Sequence, residues 1–154
     1  MSADAKLAEL QAEMSPAPKP VGVYKPVVIV GNLAYTSGHG PLRPDGKLML
    51  GKVGAEVDQQ FGYNAARQTG MAILASLKAA LGSLDRVKRV VKMLGMVNCT
   101  PDFANQPAVI NGCSELFAQI WGSDHGVGAR SAVGMNALPG NMTVEVEVIF
   151  ELNE

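Results

Sequence analysis

Aromatic residues are scarce in this chain, at 5% of 154 positions, and histidine occurs only twice, as His39 and His125. So few rings make no stacking platform for nucleobases. Two histidines with no Cys or Asp partner at ligand spacing do not make the three-ligand set that a catalytic zinc needs, so no metal is expected. Cysteine is equally rare. Cys99 and Cys113 do not form a CxxC pair, and they read as small apolar residues of a reducing compartment, with a disulfide between them a lesser alternative. Charge of one sign is lacking too: 13 Lys and Arg against 14 Asp and Glu leave a net charge of −1. A basic stripe, and with it a nucleic-acid partner, is not expected. No apolar run approaches the ~18 residues of a membrane span. The first residues, MSADAKLAELQAEM, are charged and lack the apolar core of a signal peptide. A cytoplasmic protein without a membrane partner is the expectation. The glycines are scattered and form no phosphate loop, and no internal repeat or low-complexity tract appears.

What is present divides into an arm and a body. Leu7, Leu10 and Met14 fall on one side of a short helix over 4–14, and Pro16, Pro18 and Pro20 then favour an extended linker. Residues 1–20 are therefore expected to be an N-terminal arm, dispensable for folding, and 21–154 the domain. In the body, Pro26–Val30 and Leu33–Ser37 read as strands joined at Gly31-Asn32, where Asn-Gly order would be the stronger hairpin signal. Ala66, Gly70, Ile73, Leu74, Leu77 and Leu81 form one helical stripe over 58–81, with Gly82 at the C-cap. Val87–Val97 is a strand. Thr100-Pro101-Asp102 carries a helix-start signal, but Pro107 suggests that the second helix begins there. Its stripe is Val109, Ile110, Cys113, Leu116, Phe117 and Ile120, and Gly122 closes it. Strands over 130–135 and 143–150 follow.

The order β-β-α-β-α-β-β predicts an α+β fold: a two-layer sandwich with two helices on one face of a mixed sheet. In the last strand Val144, Val146, Val148 and Phe150 point to the helices, whereas Glu145, Glu147 and Ile149 point away. If Leu33, Tyr35 and Ser37 share that second face, it is too apolar for bulk water, and another subunit is expected to cover it.

Three groups of residues suggest chemistry. Arg130 opens an otherwise apolar strand, and its planar fork suits a carboxylate; an ion pair or an interface is the plainer alternative. Glu145 and Glu147 share one strand face, so one pKa is expected to rise, as acid–base work requires; a solvated strand face is the plainer reading there. Ser37 has no nucleophile context and reads as a hydrogen-bond donor at a strand end. His125, beside Asp124, reads as a loop residue.

These residues lead to a family. Ala129-Arg-Ser, Leu138-Pro and Val144-Glu-Val-Glu147 resemble the C-terminal signature of the RidA/YjgF/YER057c family. Gly31-Asn32-Leu33 with Thr36-Ser-Gly38 resembles its early hairpin, and Asp102-Phe103 with Asn111 its second-helix region. The resemblance covers roughly 21–152. It implies a chorismate-mutase-like fold and a homotrimer with clefts between subunits. It also implies hydrolysis of reactive 2-enamine or 2-imine acids, such as 2-aminoacrylate or 2-iminobutanoate, to 2-keto acids and ammonia, with no cofactor. On that resemblance Arg130 would hold the substrate carboxylate, Glu145 would position or activate water, and Tyr24, Ser37 and Asn111 would line the cleft. There are departures. Ala132 stands where deaminating members often have cysteine, His39 where many have glutamine, and extra residues surround 101–107. They resemble a longer branch of the family. A non-catalytic trimer sensing a small carboxylate in the same cleft is the alternative. Ribonuclease activity is disfavoured by the charge balance.

Overall fold

Helix α2, Gln59–Leu81, begins where Asp58 accepts a hydrogen bond from the Phe61 amide at 2.8 Å and ends at Gly82. Such a side-chain cap is worth about 1 kcal/mol. Its predicted stripe is buried throughout. Helix α3, Gln106–His125, starts with Pro107 in its first turn. Thr100-Pro101-Asp102 makes a turn instead, closed by the Phe103 amide on the Thr100 carbonyl. The helical backbone breaks at Gly122, and one more turn follows. The computed structural model describes residues 1–154, and in it both helices pack side by side on one face of a five-stranded sheet.

The strands are β1 (Val27–Val30), β2 (Leu33–Thr36), β3 (Val87–Asn98), β4 (Ala129–Met135) and β5 (Val144–Leu152), in the order β1-β2-β5-β3-β4. Only β3 and β4 run parallel, because α3 carries the chain back between them. The first hairpin turns on Gly31, with φ +60°, followed by Asn32. A positive φ at the first central position is the type II′ pattern, which explains the Gly-Asn order. The α+β expectation, a mixed sheet with helices on one face, matches this architecture. The short helix expected over 4–14 forms as α1, Ala3–Glu9, with a turn of 3-10 helix over Gln11–Glu13 after it.

That helix packs against the body. Ala3 and Leu7 are buried in the main core. Asp4 accepts from the Ser83 hydroxyl and the Leu84 amide, and Asp85 accepts from the Ala3 amide. Arg67 clamps Glu13 through Nε and Nη2, at 2.7 and 3.2 Å. Residues 1–14 are thus part of the body, because the arm's apolar side closes one end of the helical layer. Residues 16–20 have no regular structure, and the chain bends over 21–24 and at Pro26 before entering β1.

The core lies between the sheet and the helices. Val144, Val146, Val148 and Phe150 fill it, and Phe117, Trp121 and Phe150 meet with ring centroids 5.6 to 5.7 Å apart. The other face carries no helix. Leu33 pairs with Glu151 and Tyr35 with Ile149, so these side chains share it. Val28, Val30, Tyr35 and Val133 are exposed there. No helix is long and apolar enough to cross a membrane.

Candidate functional site

The candidate residues gather in two places. Tyr24, Ser37 and Glu145 line one cavity, together with His39. Arg130 and Asn111 line another, together with Ser114. The sheet register keeps the two apart. Arg130 lies opposite Met93, whose side chain is buried beneath the helices. Glu145 lies opposite Met96, three residues further along the same strand. Side chains alternate along a strand, so Arg130 projects to the helical face and Glu145 to the open one.

Around Glu145 the geometry comes from an irregularity in the pairing. Between the Tyr35–Ile149 pair and the His39–Val146 bridge, one strand advances four residues and the other three. The extra residue is a bulge, a device that re-aims side chains beside functional sites. It leaves Gly38 against the Glu145 side chain: a Cβ at position 38 would lie 2.9 Å from the carboxyl carbon. Glu145 is half-buried. Burial, and then the charge of Glu147, raise its pKa above the usual carboxylate range. Glu147 is exposed on the same face.

Ser37 donates its hydroxyl proton to the Lys25 carbonyl at 2.6 Å. Ser37 is thus the strand-end donor expected of it, and its oxygen is left to the cavity as an acceptor. His39 is buried, with Nδ1 2.7 Å from the Ser37 carbonyl and Nε2 2.8 Å from the Ser76 hydroxyl. A carbonyl only accepts, so Nδ1 carries the proton and Nε2 accepts from Ser76. Burial holds its pKa below the ordinary histidine value. His39 is thus a neutral brace tying the bulge to α2. Tyr24 accepts from the Val21 amide at 3.3 Å.

On the other side of the sheet, Arg130 Nη1 donates to Asn111 Oδ1 at 2.8 Å and to Ser114 Oγ at 3.0 Å, while Nη2 makes only a long contact, 3.4 Å, to the Pro107 carbonyl. No carboxylate pairs with Arg130. The Nε–H has no partner, and it forms with Nη2 the edge by which Arg67 grips both oxygens of Glu13 in this same molecule. That edge is set to take a carboxylate from outside. Ser114 escaped the sequence reading. The signal was available, since positions 111 and 114 share one face of a helix. His125 and Asp124 lie in the last turn of α3 and not in a loop, are exposed, and line neither cavity.

The model of the family described as "YjgF/chorismate_mutase-like, putative endoribonuclease" matches residues 4–152. The chain belongs to the YjgF/RidA family. Among its relatives, Protein TCP17 of Trypanosoma cruzi is 39% identical over 149 residues, spanning 97% of this chain and 93% of that protein. A 2-iminobutanoate/2-iminopropanoate deaminase of Dermatophagoides farinae is 31% identical over 134 residues, spanning 86% and 88%. The crystal structure of the protein Atu1372 from Agrobacterium tumefaciens superposes with a TM-score of 0.88 at 40% identity, covering 99% of this chain and 94% of that one. The YjgF/RidA match begins inside α1, in keeping with a helix that belongs to the body. No group of three or more His, Cys, Asp or Glu side chains is placed to hold a metal in this family member.

Proposed function

We propose that this protein is a homotrimeric hydrolase that converts 2-imino acids of the 2-iminobutanoate type to 2-keto acids and ammonia, in clefts where Arg130 of one subunit meets Glu145 of its neighbour. The observation that carries this reading is the Nε–Nη2 edge of Arg130, where Nε–H has no partner and Nη2 makes only a long carbonyl contact, on a half-buried cation that no carboxylate of its own chain neutralises. The open, apolar sheet face supports the assembly, since a second subunit is what ordinarily covers such a face. The deaminase name of one relative supports the chemistry.

In this reading Arg130 holds the substrate carboxylate, with Asn111 and Ser114 fixing the guanidinium. Glu145, its pKa raised, takes a proton from water as the water oxygen bonds to the imine carbon, and passes it to nitrogen. The carbinolamine then collapses: Glu145 takes the hydroxyl proton and passes it to nitrogen, the C–N bond breaks, ammonia leaves, and the carbonyl of the 2-keto acid forms. Ser37, whose proton is committed to Lys25, accepts a hydrogen bond from the imine N–H or the water. The reaction requires orientation and one base, and no redox step. The test is ammonia release from 2-iminobutanoate generated in situ by a threonine dehydratase, measured with and without this protein. Acceleration supports the reading. Binding of 2-oxobutanoate with no acceleration favours the carboxylate-sensing alternative.

A further inference from the structure

The cavity on the Glu145 side has about 670 Å3 of space, against about 260 Å3 on the Arg130 side. Pockets of roughly 300–1,000 Å3 enclose drug-sized ligands; a four-carbon imino acid fills little of one. The surplus space has a definite chemistry. Pro18, Pro20 and Val21 form one wall, and Leu48 and Met142 stand among the residues of the rest. Lys19 and Glu145 are the only charged residues lining it.

The wall is part of this chain's own irregular stretch between Ser15 and β1, and it is held at both ends. Before it, Glu13 is clamped by Arg67, and the Glu13 carbonyl accepts from Gln68 at 2.9 Å. Ser15 is buried. After it, the Lys25 carbonyl accepts from the Ser37 hydroxyl and the Pro26 carbonyl from the Ser37 amide, at 2.6 and 2.9 Å, as the chain enters β1. Alternate prolines restrict the backbone between these anchors, so the wall keeps its shape with little entropy left to lose on binding. Because it is built within one subunit, it is present whatever closes the open side.

We infer that residues 18–21 form a specificity wall that seats an apolar side chain, making this protein selective for 2-imino and 2-keto acids with branched or aromatic side chains of amino-acid size over the four-carbon acids. This rests on the reading of Arg130 as the carboxylate anchor. A reacting carbon beside Glu145 has the larger cavity next to it, and the third substituent of that carbon is assigned to this space. An apolar group buried there gains about fourfold in affinity per methylene.

The test is calorimetric binding to the full-length protein of 4-methyl-2-oxopentanoate, 2-oxobutanoate and 2-oxoglutarate, because binding does not depend on catalysis. The expected order has 4-methyl-2-oxopentanoate tighter than 2-oxobutanoate by about tenfold. In a Pro18→Gly/Pro20→Gly variant, and separately in Leu48→Ser, that ratio falls at least threefold. Equal or tighter binding of 2-oxobutanoate overturns the wall, and so does an unchanged ratio in both variants. Tighter binding of 2-oxoglutarate overturns it in favour of Lys19 as a second anion site. Binding of none of the three removes the wall together with the anchor. If the expected order appears but no imine is hydrolysed, the wall stands and the deaminase reading falls.

Discussion

Arg130 and Glu145 lie on opposite faces of one sheet, opposite Met93 and Met96 of the same central strand. No rotamer change brings them together, because the sheet stands between them. If both serve one reaction, they come from different subunits. Arg130→Ala and Glu145→Gln should then complement each other. Each variant alone should be inactive in imine hydrolysis. Unfolded together and refolded as an equal mixture, they should recover about a quarter of wild-type activity, since three in four trimers are mixed and each has one intact cleft of three. Sedimentation should give a mass about three times 16.2 kDa. A monomer, or a mixture with no activity above its parts, refutes the shared cleft.

Arg130→Lys keeps the charge but loses the paired edge that Nε and Nη2 provide. It should weaken 2-oxobutanoate binding by at least about tenfold, and Arg130→Ala by more, since losing a buried charged hydrogen bond costs ~2–5 kcal/mol. Calorimetry checks both. Wild-type affinity in Arg130→Lys would mean that Arg130 acts as a point charge only.

Glu145 makes opposite predictions for activity and stability. Burial and Glu147 raise its pKa in the folded protein. The folded state therefore holds the proton more tightly than the unfolded chain. Glu145 favours folding at acid pH and loses that contribution as pH rises through its folded pKa. Glu145→Gln should thus melt higher than wild type at neutral pH, with the gap closing below about pH 4. It should also lose imine hydrolysis while retaining 2-oxobutanoate binding. Thermal melts at several pH values test the first point; a lower melting temperature for Glu145→Gln at pH 7 would show that the carboxylate is stabilised where it lies.

Gly38 has a role that its neighbours do not share. A methyl group there would meet the Glu145 carboxyl at 2.9 Å. Gly38→Ala should displace the carboxylate, so hydrolysis should fall about tenfold or more, as sub-ångström positioning errors allow, while Arg130-dependent keto-acid binding changes little. Unaltered turnover would show that Glu145 has room to move.

The N-terminal helix is expected to matter for stability. Leu7 is 3% exposed within the main core. Leu7→Ala should cost about 2–4 kcal/mol, read as a shift of the urea midpoint. A change under 0.5 kcal/mol would return residues 1–14 to the status of a loose arm.

The sequence by itself determined the elements, and with them most of the fold. Periodicity over 66–81 and 109–120, the caps at Asp58 and Gly82, and the alternation from Val144 to Phe150 are local signals. They carry through because each sets its segment's buried face before any tertiary contact forms. Arg130 and Glu145 were singled out by their places on apolar strands, and Tyr24, Ser37 and Asn111 by resemblance of short motifs. Only the tertiary structure decided how they are grouped. Face assignment depends on strand register, and the bulge at Ser37-Gly38 arises between chain segments more than a hundred residues apart, so no local pattern announces it. The same holds for α1, whose two buried residues are too few to mark a core helix until α2, α3 and the Ser83–Asp85 turn supply the surface it closes.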